Sequence, residues 1–380
     1  MGDAPAIPFN RPSFGPAAIE HLRAVMRSGE TCGDRAVSRR CEAALAAITG
    51  SARVFLTPSC TAALEMAALL LGVGPGDEVL VPSFTFTSTA NAFVLLGARP
   101  VFVDSRPDTL NLDASKLAAL VTPRTRAVVP VHYAGVGCEM DAIDAVAARH
   151  GLDVVEDNAH GLMGRWRGRA LGGIGRLSTA SFHETKNLAC GEGGALFVND
   201  PSLVARAEVI REKGTNRSLF LRGEVDKYSW VDRGSSWLLP DLLSAVLLDQ
   251  LERREAIQAS RALAWDAYAR DLAGWGRARG VGMPAVPPGA EHPSHLFWIT
   301  LPSVDAAAAF LAHLRARGVS SVRHYVPLHL SAMGRSFGGR EGDCPVVEDF
   351  AARLVRLPLY AGITPDEVAR VVDACVGFDP

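Results

Sequence analysis

The chain has 380 residues and sets 39 basic against 41 acidic side chains, a net charge of −2, so no general field draws it to a nucleic-acid polymer or a membrane surface. Its length and 48% hydrophobic content suffice for a sizeable core and for two or three domains. Seven cysteines without C-x-x-C spacing point to reduced thiols instead of disulfides or zinc. The opening Met1-Gly2-Asp3-Ala4-Pro5 lacks a basic-then-apolar pattern and no apolar run reaches membrane-spanning length, which leads us to expect a cytoplasmic protein.

In chain order, Thr57-Pro58-Ser59-Cys60-Thr61 precedes an apolar helical stretch to Leu71. Ser59 or Thr57 can cap that helix and leave the N–H groups of Cys60 and Thr61 free for a phosphate, although an ordinary capped helix carries the same residues. Strand candidates follow at Glu78 to Val81, Val101 to Asp104, Ala127 to Val131 and Val154 to Glu156. They alternate with amphipathic stretches at Thr89 to Leu96, Ser115 to Leu120 and Met140 to Arg149. This alternation predicts parallel strands joined by crossover helices that cover both faces, an α/β domain whose ligands bind at the strands' carboxyl ends.

The polar residues of interest fall at those ends. Pro82-Ser83-Phe84-Thr85-Phe86 offers an aromatic to face a ring, core packing being the ordinary role of each phenylalanine. In Glu156-Asp157-Asn158-Ala159-His160, Asp157 can pair with a protonated ring nitrogen. Lys186 lies in Ser181-Phe182-His183-Glu184-Thr185-Lys186-Asn187, between the strand-like Leu177 to Phe182 and Ala195 to Val198. Most lysines are only solvated. At a reversal between buried strands, however, an ammonium is partly desolvated, which lowers its pKa and favours the neutral amine that forms a Schiff base.

After Ser235 the spacing predicts a long bridging helix, Pro240 to Leu272. A Pro/Gly-rich segment (280–293), a strand (296–301), a helix (306–317), a strand-like piece (319–322) and helices at 346–356 and 365–376 then make a smaller α+β domain. The expected division is 1–245 for the large domain and 246–380 for the bridging helix and small domain. Arg323-His324-Tyr325-Val326-Pro327-Leu328-His329 is dense enough in polar and aromatic groups to form a site wall.

A phosphate cradle, an acid for a ring nitrogen and an imine-forming lysine, in that order on an α/β domain, are the working parts of a pyridoxal phosphate (PLP) site. On these segments, together with 81–86 and 324–329, the chain resembles the DegT/DnrJ/EryC1/StrS family of nucleotide-sugar aminotransferases from about Pro8 to Ala374. The resemblance implies the PLP-dependent fold type I, aspartate aminotransferase-like, with a large mixed, mostly parallel sheet. It also implies roles. Lys186 would carry the cofactor and shuttle the proton, Asp157 would face the ring nitrogen and His160 the ring hydroxyl, and Phe86, in preference to Phe84, would stack on the ring. Ser59, Cys60, Thr61 and Ser181 would surround the phosphate. Ser236 stands where many relatives carry an asparagine that reaches the neighbouring subunit's phosphate, and Cys60 where many carry glycine. A homodimer with composite sites is implied as well.

The segments 211–218, 225–228 and 234–236 resemble one branch, the dTDP-4-amino-4,6-dideoxygalactose transaminases. That branch implies a dTDP-4-keto-6-deoxyhexose acceptor and an amino-acid donor, glutamate being expected, which would convert PLP to PMP. Arg211, Lys213, Arg217, His324, Tyr325 and His329 are the candidates for sugar or diphosphate contacts, a solvated role being the alternative for each basic residue. A PMP-dependent sugar dehydratase is the competing enzyme reading, but such relatives replace the lysine by histidine. A non-catalytic PLP-binding regulator is a third reading, and it lacks a basic recognition helix here.

Overall fold

The near-continuous apolar runs between residues 53 and 198 form one seven-stranded sheet in the computed structural model, which describes residues 5–379. Its strands are β1 (Arg53–Thr57), β2 (Glu78–Pro82), β3 (Arg99–Val103), β4 (Thr125–Val128), β5 (Asp153–Asp157), β6 (Leu177–Ser181) and β7 (Gly194–Val198). They lie in the order β1-β7-β6-β5-β4-β2-β3. Only β7 runs antiparallel to its neighbours, β1 and β6; the other pairs are parallel. The sheet is therefore mixed and mostly parallel, in agreement with the expected fold class.

Successive residues of a strand face opposite sides, and both sides are covered. Phe55 joins Leu64, Met66, Phe93 and Ile210 under the helices Cys60–Leu70, Ser88–Val94 and Val204–Arg211. Val54 and Leu56 join Leu45, Leu247 and Leu251 under the helices Ala36–Thr49 and Asp241–Glu252. Two N-terminal helices, Pro16–Ser28 and Ala36–Thr49, lie outside the expected elements. Their ends did carry signals: Pro16 at the first helical position, and Gly29 and Gly50 in left-handed C-caps.

A second core is built on the helix Arg254–Arg279, the strands β8 (Phe297–Thr300) and β9 (Leu354–Leu357), and the helices Val304–Ala316 and Pro365–Val376. Trp265, Tyr268, Phe297, Phe310 and Val371 meet there, and Ile7 from the start of the chain is buried among them. The expected helix over 240–272 breaks at Arg253 (φ −98°, ψ 7°), and the expected boundary at 245/246 falls inside Asp241–Glu252. That helix packs against the large sheet beside Val54 and Leu56, and the second core takes its first helix from Arg254 onward.

The expected helix over 346–356 is also shorter. It spans Pro345–Arg353, and residues 354–357 instead form β9, antiparallel to β8 with Trp298 opposite Arg356. Leu354, Val355 and Leu357 are all buried, so tertiary packing overrides local helical spacing. Residues 319–322 make isolated bridges, Ile7 to Val319 and Val322 to Arg356, and no strand. All seven cysteines are free, and no helix among the described residues is long and apolar enough to cross a membrane.

Candidate active site

At the carboxyl ends of the central strands a cavity of about 650 Å³ opens between the large sheet and the second unit. Ser59, Cys60 and Thr61 form one end. The Ser59 hydroxyl accepts from Ala62 N (3.1 Å) and its carbonyl from Ala63 N (3.2 Å). The N–H groups of Cys60 and Thr61 keep no partner among the described residues, and the helix dipole adds its positive end. Thr61 Oγ1 lies 2.7 Å from Ser88 Oγ. The cradle depends on Gly194 of β7: a Cβ there would lie 2.3 Å from the Ser59 carbonyl carbon and 2.4 Å from Cys60 N. Burial pushes the Cys60 thiol up and keeps it neutral, 3.5 Å from Thr179 Oγ1.

Asp157 ends β5 and is buried. Its Oδ2 accepts from Thr89 Oγ1 (2.7 Å), which lies 2.8 Å from Thr85 Oγ1, and its Oδ1 accepts from Ala159 N (3.2 Å). Burial raises its pKa against those hydrogen bonds. A cation beside the carboxylate would relieve that cost, and a protonated ring nitrogen is such a cation. Below it, Glu156 accepts from the N–H groups of Gly172, Ile174 and Gly175 and from His132 Nε2 (2.9 Å). His132 Nδ1 accepts from Cys138 N, so Nε2 carries the proton. Burial pushes Glu156 up, but His132 and the glycine amides hold it below the usual range.

Lys186 stands in the loop joining β6 to β7. Hydrogen bonds from Phe182 N to Gly193 O, from Glu184 N to Gly191 O and from Lys186 N to His183 O close the loop, with Gly191 at φ 90°. Burial lowers the lysine to about 8, against the opposing pull of Asp157. Asn187, its neighbour, donates to Pro293 O (2.6 Å) and accepts from His295 Nδ1 (2.8 Å), tying the lysine loop to the second unit.

His160 completes the wall. Its ring stacks on His295 with centroids 4.3 Å apart, Nε2 lies 3.4 Å from the Tyr325 hydroxyl, and Nδ1 is buried without a partner among the described residues. Burial and the nearby lysine push it well below the imidazole range, so it is neutral. Phe86 is 58% exposed at the cavity, whereas Phe84 is 1% exposed against Tyr133 and Tyr325. Phe86 is thus the aromatic free to face a ring. These residues fit PLP: an unpaired pair of N–H groups for phosphate, a cation-seeking carboxylate, an amine of lowered pKa and an open imidazole nitrogen.

Of the expected residues, Ser59, Cys60, Thr61, Phe86, Asp157, His160, Ser181, Lys186, His324 and Tyr325 share this cavity. Five do not. Arg211 is buried between Glu42 (2.9 Å) and Asp34 (3.1 Å) over the Phe55 ring, where it holds the fold. His329 is buried with Nδ1 on Ser83 (2.5 Å) and Nε2 on Glu348 (2.9 Å). Lys213 and Arg217 pair with Glu212, and Ser236 is exposed in a bridge to Glu212. Sequence reasoning missed Thr85, Thr89, His295 and Arg356. The threonines stood at i, i+4 spacing beside a recognised motif, while the other two come from the second unit and carried no local signal.

The chain matches the DegT/DnrJ/EryC1/StrS aminotransferase family over residues 12–376. It is 35% identical over 376 residues to the spore coat polysaccharide biosynthesis protein SpsC of Bacillus subtilis, covering 97% of this chain and 96% of that one. Aminotransferase TlmJ from Streptoalloteichus hindustanus superposes with a TM-score of 0.89 at 31% identity, covering 98% of each chain. A protein described as sugar aminotransferase Spr1654 from Streptococcus pneumoniae, in its PMP form, gives 0.90 at 26% identity over 97% of this chain and 96% of its own. A fold type I sheet, a lysine loop and a phosphate cradle agree with a match of that extent: the chain belongs to the DegT/DnrJ/EryC1/StrS aminotransferase family and uses PLP and PMP as its cofactor.

Proposed function

We propose that this chain is a sugar aminotransferase that converts a dTDP-4-keto-6-deoxyhexose to the corresponding 4-amino sugar, with glutamate as the donor. The observation that carries the reading is Lys186, an amine of lowered pKa in one cavity with Asp157 and the open N-terminus of the helix Cys60–Leu70. Its presence also supports amine transfer over sugar dehydration. Thr61, Ser88, Ser181 and the amides of Cys60 and Thr61 would hold the cofactor's phosphate; Asp157 would hold its ring nitrogen, Phe86 its face and His160 its hydroxyl side.

When bound, the cofactor supplies an electron sink for the pair left at the carbon that bears the amine. Thr89 and Ala159 hold the Asp157 carboxylate in place, so its charge stays opposite the ring nitrogen. Lys186 Nζ, with its pKa near 8, can take a proton from the donor Cα near neutral pH and deliver one to the sugar C4 in the second half-reaction. Neutral His160 and the Tyr325 hydroxyl can hydrogen-bond without adding charge beside that carbon.

The segment from Lys213 to Ser236 supports a homodimer with shared sites. It carries Tyr228, Trp230 and Val231 in solvent, an apolar surface of the kind that partners cover. Lys213, Arg217 and Ser236 lie on it, away from their own cavity, and in such a dimer they would approach the neighbour's. The test is incubation with dTDP-4-keto-6-deoxyglucose and glutamate. A dTDP-4-amino sugar and 2-oxoglutarate are expected, with the C4 configuration read from proton couplings; unchanged sugar with every amino acid supplied, or a deoxygenated product, would sink the reading.

A further inference from the structure

Lys186 and Arg356 are the only lysine and arginine among the residues lining the cavity, and the residues assigned above leave Arg356 unused. It lies on β9 opposite Trp298 and is half-buried. Its Nε and Nη2 both donate to the Arg323 carbonyl (3.3 and 3.1 Å), and its guanidinium carbon sits 4.8 Å from the centre of the Phe9 ring. Nη1 has no hydrogen-bond partner, and no carboxylate lies within ion-pairing reach among the described residues. Contrast Arg211, buried more deeply, which two acids neutralise. A guanidinium fixed in a ligand cavity without a counter-ion is costly unless a bound anion completes it, and burial correspondingly lowers its pKa.

Two anions enter the proposed reaction besides the cofactor's phosphate: the donor's carboxylate and the sugar's diphosphate. Position decides between them. Arg356 lines the cavity together with Lys186, His160 and His295, and the carbonyl it holds belongs to Arg323, next in sequence to His324, whose ring stacks on His160 with centroids 6.3 Å apart, so Arg356 stands on the wall that carries the group that moves the proton. In an α-amino acid the carboxylate is bonded to the very carbon that loses the proton. In a 4-keto sugar the diphosphate is at C1, across the ring from C4. We propose that Arg356 binds the α-carboxylate of the amino-acid donor through Nη1 and so selects α-amino acids for the first half-reaction. The assignment rests on the aminotransferase reading above.

The two half-reactions can be measured apart on the holoenzyme. The PLP form is mixed with L-glutamate and loss of the visible absorbance of the lysine-bound cofactor is followed; the PMP form is mixed with dTDP-4-keto-6-deoxyglucose and its return is followed. Binding of 2-oxoglutarate to the PLP form by calorimetry gives a readout independent of turnover. Arg356→Gln should weaken glutamate reaction and 2-oxoglutarate binding on the order of 10- to 100-fold, the range for a lost charged hydrogen bond. The acceptor half-reaction should lose far less, and Arg356→Lys should recover part of the donor side because it restores the charge without the planar fork. Donor constants equal to wild type, an equal loss in both half-reactions, or a loss confined to the nucleotide sugar would overturn the assignment while leaving the aminotransferase reading intact. A wild-type protein that no α-amino acid bleaches would overturn that reading and this assignment with it. Unchanged cofactor content and melting temperature in Arg356→Lys separate ligand binding from misfolding.

Discussion

At the level of single atoms, the proposed chemistry turns on Thr89 and Lys186. Thr89 donates to a buried carboxylate oxygen of Asp157, so Thr89→Val leaves that oxygen unpaired at little change in volume. We expect PLP affinity to fall about 10-fold and to recover in Thr89→Ser, measured by equilibrium dialysis of the purified protein; unchanged affinity in Thr89→Val would remove the threonine from the positioning of Asp157. For Lys186 the direction of the shift sets the pH dependence. Burial lowers its pKa to about 8, so the cofactor-free protein should combine with PLP faster as pH rises through about 8 and level off above. Between that value and the ordinary lysine value the unfolded chain still holds a proton that the folded chain has released, so this group makes stability rise with pH over that window. Lys186→Met should flatten that part of the curve and, at neutral pH, stabilise the cofactor-free fold by on the order of 1 kcal/mol, readable by urea unfolding at several pH values.

Individual elements place these atoms. The helix Cys60–Leu70 needs Ser59 at its cap and Gly194 beneath it, and the two should fail differently. Ser59→Ala removes one cap hydrogen bond and should cost about 1 kcal/mol of stability. Gly194→Ala forces a methyl group into the Ser59-Cys60 backbone and should cost about 1–3 kcal/mol, while lowering phosphate and PLP affinity more than Ser59→Ala does. Calorimetric melting with and without inorganic phosphate distinguishes them, and a Gly194→Ala protein that binds phosphate as tightly as wild type would show that the cradle tolerates the shift. The same element view explains Arg356. Helical spacing over 346–356 hid it, because Pro345–Arg353 is a helix and only the pairing of β9 with β8 turns the next residues into a strand.

For the whole molecule, apolar side chains between residues 221 and 231 stand largely uncovered in the single chain. Trp230 is 79% exposed and Leu221 63%, and patches of this kind mark contacts with another protein surface. Trp230→Asp should shift the sedimentation coefficient of the protein from that of a dimer toward that of a monomer, with secondary structure unchanged by circular dichroism. A wild-type protein that sediments as a monomer at every concentration would refute shared active sites. The two-unit design itself places the cavity: Asn187 beside Lys186 clasps Pro293 and His295 of the second unit, so any shift between the units moves Lys186.

Much of the large unit was legible in the chain alone. Strand and helix periods are local, so the βα alternation, the polar residues at the strand ends and the order of cradle, acid and lysine appear in consecutive residues from Thr57 to Gly194. The free amides of Cys60 and Thr61 follow from one cap, and the depressed lysine follows from a reversal between buried strands. Tertiary structure alone decided the rest. Arg211 and His329 looked like ligand contacts because charge and polarity are all that sequence displays, whereas burial against Glu42, Asp34, Ser83 and Glu348 makes them part of the framework. His295 and Arg356 entered the cavity for the converse reason: their neighbours in sequence carry no motif, and their place depends on strand pairing and packing between residues far apart in the chain.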